Sequence, residues 1–345
     1  VTAHPRKPDR TRDMHLGRSY RLTEFLFWTR RQIYALLVCG SVPVILYKYA
    51  SMRWLSVPLT IVVLLGTATS FIVGFKNVQT YNRAEDAQIV WTCIVGVSRR
   101  WGQLACAFPN ELRVSRELVL RHLAWLTALR YELRSPRIWE SMSRRFNLEY
   151  RRHYHVPEWE SALGDVLSDY LSSSETACAL ASRSATAAIL SMQSEHLKRL
   201  HRAGDLDLSF YLELQRAVGE LIALQANAER LKNFPYPRQY ATISALFVRF
   251  FCLLFPFGLL QEFDKLNDVI SGPMHGNMVW LAVPFSVIVS WMYTSLAQVG
   301  ESTENPFEGS ANDVPISTLC ATLEGDLRSM LGETVGHATL PTIAL

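Results

Sequence analysis

Residues 54–75, WLSVPLTIVVLLGTATSFIVGF, contain no charged side chain. Wound as an α-helix at about 1.5 Å per residue, the stretch reaches roughly 33 Å, enough to cross a bilayer core. Thr67, Phe71 and Phe75 recur every fourth residue and so stack along one helical face. Gly66, Ala68, Ser70 and Gly74 are small enough for neighbouring helices to approach closely. An inert anchor needs neither feature. Ring side chains on one face, among small contacts, describe a shared wall such as the lining of a pore.

The rest of the chain alternates apolar and charged blocks, which is why 49% hydrophobic residues give a mean hydropathy only slightly above zero. Residues 1–21 are polar and basic and read as an arm or linker. Gln32–Tyr47 is uncharged and flanked by Arg30, Arg31 and Lys48, a first span; Trp54–Phe75 is the second. Beyond Phe75, residues Ile89, Val90, Cys93, Ile94 and Val97 keep helical spacing, so the second helix continues out of the membrane. Residues 109–238 carry amphipathic helical patterns and no strand alternation, punctuated by a loop at Tyr154–Glu158 and the run LSSSE at 171–175. Gln239–Gln261 is a third span, interrupted by Arg249 and holding Pro256. Val269–Gly300 has no Asp, Glu, Lys or Arg, and from Met278 it is a fourth span. A short amphipathic helix is expected at Leu319–Leu331.

Lys and Arg set the orientation. Eight precede the first span and twenty-two lie in 76–238, whereas the two short connections hold only Lys48, Arg53 and Lys265. The positive-inside rule places both termini and the large helical segment in the cytoplasm, which suits a plasma or inner membrane better than an organelle.

A net charge of +4 is too small to argue for nucleic acid, and no RNP-like motif or zinc-finger spacing supports it, so no nucleic-acid partner is expected. The six cysteines form no CxxC pair and read as free thiols rather than a disulfide framework. His153 and His155 alternate in a loop, and His196 and His201 stand five apart, off the four-residue spacing of HExxH. There is no Walker loop, no GxSxG and no nucleophile with a base in reach, so an enzyme is not expected. No signal peptide is visible, and the initial Val fits processing or a piece of a longer polypeptide.

Four blocks carry a family resemblance. FKNVQTYNRAEDAQIVW after the second span, KNFPYPRQYATI before the third, PFGLLQEFDKLN after it and ENPFEGSANDVPIS after the fourth resemble bestrophins, especially their bacterial relatives, in the family's order over residues 20–332. The resemblance implies an all-α homopentamer, four identical subunits joining each chain around a central pore in the lipid bilayer. Its members are ion channels, usually for chloride and other small anions, with some bacterial relatives preferring cations. The chain then divides into the basic arm (1–21), transmembrane helices 1 and 2 (22–108), a helical cytosolic domain (109–238), transmembrane helices 3 and 4 (239–300) and a cytosolic tail with a clasp-like loop (301–345).

Carried over position by position, the resemblance implies a neck lined by Thr67, Phe71 and Phe75. Animal members have a branched aliphatic residue where Thr67 stands, so the outer end should be more polar here; ordinary helix packing is the competing reading of the two rings. Arg83 and Asp86 would form an interhelical ion pair at the cytosolic mouth, while Gln88 and Thr92 depart from the family's Arg and Gly. Ile189 would ring a second, cytosolic aperture, against the alternative of a core position. In animal members the loop after Asn-Pro-Phe clasps calcium; here Asn305, Ser310 and Asp313 occupy ligand positions, but the acids shrink to Glu308 and Asp313. Calcium wants six to eight oxygens, several from carboxylates, so a turn packing on the neighbouring subunit is an equal reading. Gating would come from rearrangement where the cytosolic domain meets the tail. Certain algal relatives are fused to rhodopsin domains, which leaves a partner domain upstream of residue 1 open. Arg249 is expected to face protein or water and to pair with a neighbouring helix. A membrane-anchored helical scaffold without conduction is the rival reading. A secondary transporter would need broken midplane helices and repeats that this sequence lacks.

Overall fold

The computed structural model describes residues 22–144, 147–148, 156–271, 273–310 and 313–333. The arm at 1–21, His153, and Tyr154 and His155 of the expected loop at 154–158 lie outside the described residues, while Pro157–Trp159 forms a 3-10 turn. Those described are helical, with no strand among them, and fall into two compact units.

The first unit comprises residues up to Asn82 together with Tyr236–Glu304. It holds α1 (Leu22–Tyr49), the first part of α2 (Leu59–Ala107), α8 (Arg238–Lys265) and α9 (Ala282–Ser302). Helix α1 starts ten residues before Gln32 because Phe25 and Trp28 give that turn an aromatic side. The Phe25 ring lies 5.8 Å from Trp291 of α9, whose indole N–H donates to Thr29 Oγ1 at 2.9 Å. Pro58 precedes α2 and cannot extend a helix backward, which sets its start. Pro256 lies inside α8 and leaves the Cys252 carbonyl without its helical donor; the Cys39 thiol of α1 points at that oxygen, 3.7 Å away. Among the described residues, four stretches are long and apolar enough to cross a membrane: Leu22–Tyr49, Arg53–Ala107, Arg238–Asp268 and Met278–Ser302.

The second unit comprises Arg83–Pro235 and the chain from Asn305 onward. Its centre is α3 (Leu112–Arg134), packed by α4 (Leu163–Leu167), α6 (Ala185–Ala203), α7 (Leu208–Asn233) and α10 (Ile316–Met330). The LSSSE run supplies the start of α5 (Ser173–Ala181): Ser172 and Glu175 form a reciprocal capping box. Leu118, Trp125, Leu126, Leu129 and Leu133 of α3 are buried together with Trp91 and Trp101. Burying a large apolar side chain contributes about 1.5–3 kcal/mol relative to leaving it exposed. His122 sits among them, its ring 5.9 Å from Trp101 and 5.3 Å from Trp125, and burial pushes its pKa down to about 3. Trp125 donates to Gln225, and Gln225 donates to Thr186, so the polar atoms inside this core are tied to one another.

Ile189 has no exposed surface. It shares the buried face of α6 with Thr186, Leu190, Gln193 and Leu197, the face that packs on α3. A side chain without accessible surface in its own subunit cannot line an aperture, so Ile189 is a core residue.

Candidate functional site

Phe71 and Phe75 stand one turn apart on α2 and are 76% and 56% exposed. Thr67 is exposed on the same side, but its Oγ1 donates to the Val63 carbonyl at 3.0 Å. Its hydroxyl is engaged by its own helix, so the position offers less polarity than expected of a threonine.

Beside these side chains an open groove of about 690 Å³ runs along α2. It is lined by Val63, Gly66, Thr67, Ser70, Phe71, Gly74 and Phe75 of α2, Phe251 and Phe255 of α8, and Tyr293 of α9. The Phe251 and Tyr293 ring centroids are 4.5 Å apart. Tyr293 donates to the Gly66 carbonyl at 3.1 Å and lies 2.6 Å from Ser70 Oγ, which must then donate to it. The small residues are thus where α2 is gripped, and the rings project beside them.

Arg83 and Asp86 do not pair with each other. Arg83 donates to the Leu231 carbonyl at 2.9 Å, and Asp86 faces Arg230 at 4.0 Å on an exposed surface. Both partners belong to α7, so each residue ties α2 to that helix separately. Arg249 is exposed on α8 and makes no hydrogen bond or ion pair among the described residues.

The tail loop is buried in the second unit. Asn305, Ser310 and Asp313 are between 4% and 8% exposed. Asp313 accepts from Ser310 Oγ at 2.7 Å, from the Gly309 N–H at 2.6 Å and from Arg134 Nη1 at 3.0 Å. Gly309 takes a φ of +86°, and a Cβ there would strike the Trp159 ring. Glu308 accepts from the Ser141 N–H at 2.8 Å, from Ser141 Oγ at 2.6 Å and from Asn305 Nδ2 at 3.3 Å. Burial raises both carboxyls, Glu308 to about 8 with the charge of Asp313 as its second cause; burial likewise outweighs the pull of Arg134 on Asp313. Behind the loop, Lys232 pairs with Glu140, both buried.

This donor set does not fit calcium. Asp313 already faces a buried guanidinium, Asn305 turns its amide N–H₂ to Glu308, and Glu308 is spent on Ser141. Residues 311–312 of the loop lie outside the described residues. Among those described, no group of three or more His, Cys, Asp or Glu is arranged to hold a metal. His196 Nδ1 meets Arg121 Nη1 at 2.7 Å and His201 Nδ1 meets the Leu206 carbonyl at 2.9 Å, so each histidine has a protein partner. Arg134 and Ser141 were not distinguishable in the sequence, where nothing marks them apart from other arginines and serines of amphipathic segments.

Comparison with known proteins agrees with this architecture. The chain is 26% identical over 288 residues to the voltage-dependent anion channel-forming protein YneE of Escherichia coli (strain K12), covering 83% of this chain and 80% of that one. It is 25% identical over 273 residues to the voltage-dependent anion channel-forming protein RSc3414 of Ralstonia nicotianae, covering 78% and 76%. Its fold matches the crystal structure of a bacterial bestrophin homolog from Klebsiella pneumoniae with a TM-score of 0.72 at 23% identity, covering 88% of this chain and 98% of that one. Residues 29–329 match the family model described as Bacterial/Fungal Bestrophin protein. With four membrane-length helices, a fold shared along nearly its whole length and a family match from Thr29 to Ser329, the chain is a membrane protein and belongs to the bacterial and fungal bestrophin family.

Proposed function

We propose that the chain assembles as a homopentamer and passes chloride and other small anions passively down their electrochemical gradient through a neck formed by Phe71 and Phe75. The observation that carries this reading is the exposure of those two rings, one turn apart, on an uncharged membrane-length helix. The names of the two relatives above, both anion channel-forming, support the choice of permeant ion. A narrow ring of phenylalanines excludes water when closed. When wider, the ring edges present partial positive charge to an anion. With the Thr67 hydroxyl turned to Val63, the outer end of the neck joins the apolar constriction. The protein is a channel and not an enzyme. The lysine and arginine distribution supports termini in the cytoplasm and residence in a plasma or inner membrane. Calcium has no place in the proposal, because the tail loop closes on Arg134.

The test is the reversal potential of purified protein in planar bilayers under asymmetric chloride, wild type beside Phe71→Ala/Phe75→Ala. A reversal near the chloride equilibrium potential, with larger mutant currents, supports both the selectivity and the neck. A reversal near the cation potential overturns the selectivity. Silence from both, with intact oligomers on gel filtration, leaves a non-conducting scaffold.

A further inference from the structure

Lys76 follows Phe75 directly on α2, yet a helix turns about 100° per residue, and the lysine is buried where the phenylalanine is exposed. Its Nζ lies 3.2 Å from Glu304 Oε2, with the two side chains 11% and 14% exposed. Glu304 stands two residues beyond the end of α9. The neighbouring contacts are close and polar. A Cβ on Gly300 would meet the amide oxygen of Asn77, so α9 and α2 lie close together there. Thr303 Oγ1 donates to Thr80 Oγ1 at 3.3 Å, and Thr80 is fully buried. These contacts fasten the turn of α2 that follows the rings to the end of α9.

We infer that the Lys76–Glu304 ion pair is a latch: it holds α2 against α9 immediately after Phe75, and its integrity sets how closed the neck stands. The inference rests on the neck reading above. Two charges this poorly exposed are tolerable together, whereas Lys76 deprived of Glu304 is a poorly exposed charge that draws water and loosens its surroundings, and Glu304 deprived of Lys76 no longer holds α2. A neck that closes by excluding water is sensitive to that change beside it. Lys76 and Glu304 are positioning residues, because they act through the adjacent ring and touch no ion themselves.

The experiment compares single-channel open probability in planar bilayers for wild type, Lys76→Gln, Glu304→Gln and the exchanged pair Lys76→Glu/Glu304→Lys, with gel filtration and thermal unfolding alongside. The expected result is a several-fold rise in open probability for each single variant and a return toward wild type in the exchanged pair. A merely structural pair would lower the unfolding temperature of the singles and leave open probability unchanged, which overturns the latch. If the singles do not assemble, the exchanged pair decides: wild-type gating supports the latch, and altered gating in a correctly assembled pair overturns it. Phe71→Ala/Phe75→Ala separates the two readings. Leaky alanine channels with unchanged charge variants sink the latch and keep the neck. Unchanged alanine channels sink the neck, whatever the charge variants do.

Discussion

Arg134 and Asp313 stand 179 residues apart in the chain and meet at 3.0 Å, with side chains 0% and 2% exposed. Removing one partner strands a buried charge, which costs about 3–5 kcal/mol. Arg134→Ala is therefore expected to lower the unfolding temperature of the detergent-purified protein sharply. Arg134→Lys should recover only part of the loss, because one ammonium cannot reach both Asp313 and the Val314 carbonyl as the guanidinium does. Equal stability of wild type and Arg134→Ala would show that the pair contributes nothing net.

The same contact predicts indifference to calcium. Millimolar calcium and a chelator should give the same unfolding temperature and the same open probability in wild type. A calcium-dependent rise in either, measured on one preparation, would return the loop to a metal-binding role.

Ile189→Ala tests the placement of that residue in the core. Truncating a buried isoleucine costs about 2–5 kcal/mol, so thermal stability should fall while the reversal potential of the surviving channels stays that of wild type. Unaltered stability with altered selectivity would restore the aperture.

His122 predicts acid sensitivity. Its folded pKa of about 3 lies below the ordinary imidazole value of 6.5, so the unfolded chain takes up a proton that the native core refuses. The stabilisation is complete above pH 6.5 and is lost as pH falls toward 3, at up to about 1.4 kcal/mol per pH unit for one such group. His196 is shifted downward too, first by burial and then by Arg121, and adds to the same trend. Unfolding temperature followed from pH 7 to pH 4 should decline less steeply in His122→Phe than in wild type; parallel curves would remove His122 as the cause.

Much of the fold is legible in the sequence because membrane spans announce themselves by absent charge and amphipathic helices by period. The apolar run at 54–75 and the LSSSE start of α5 needed no three-dimensional information. Facing is harder. Ile189 lies on a helix with apolar residues on more than one side, and periodicity cannot say which side meets α3. Arg83 and Asp86 share a turn, which makes them look like a pair, yet each finds its partner on α7. The closure of the tail loop by Arg134, and the turning of the Thr67 hydroxyl into its own helix, depend on contacts and rotamers that spacing does not encode.

Tyr293 grips α2 at Gly66 and Ser70, and Glu304 grips it again at Lys76. In mechanical terms, one attachment is a pivot and two define a fixed bar. With both intact, α2 and α9 move as one body through this stretch. Losing the Lys76–Glu304 contact leaves only the Thr80–Thr303 hydrogen bond and the close approach at Gly300 below the rings, a weaker stop for the segment carrying Phe71 and Phe75. Losing the upper attachment moves the pivot past the rings, so Tyr293→Phe and Glu304→Gln should disturb the conducting path in different ways although they loosen the same two helices.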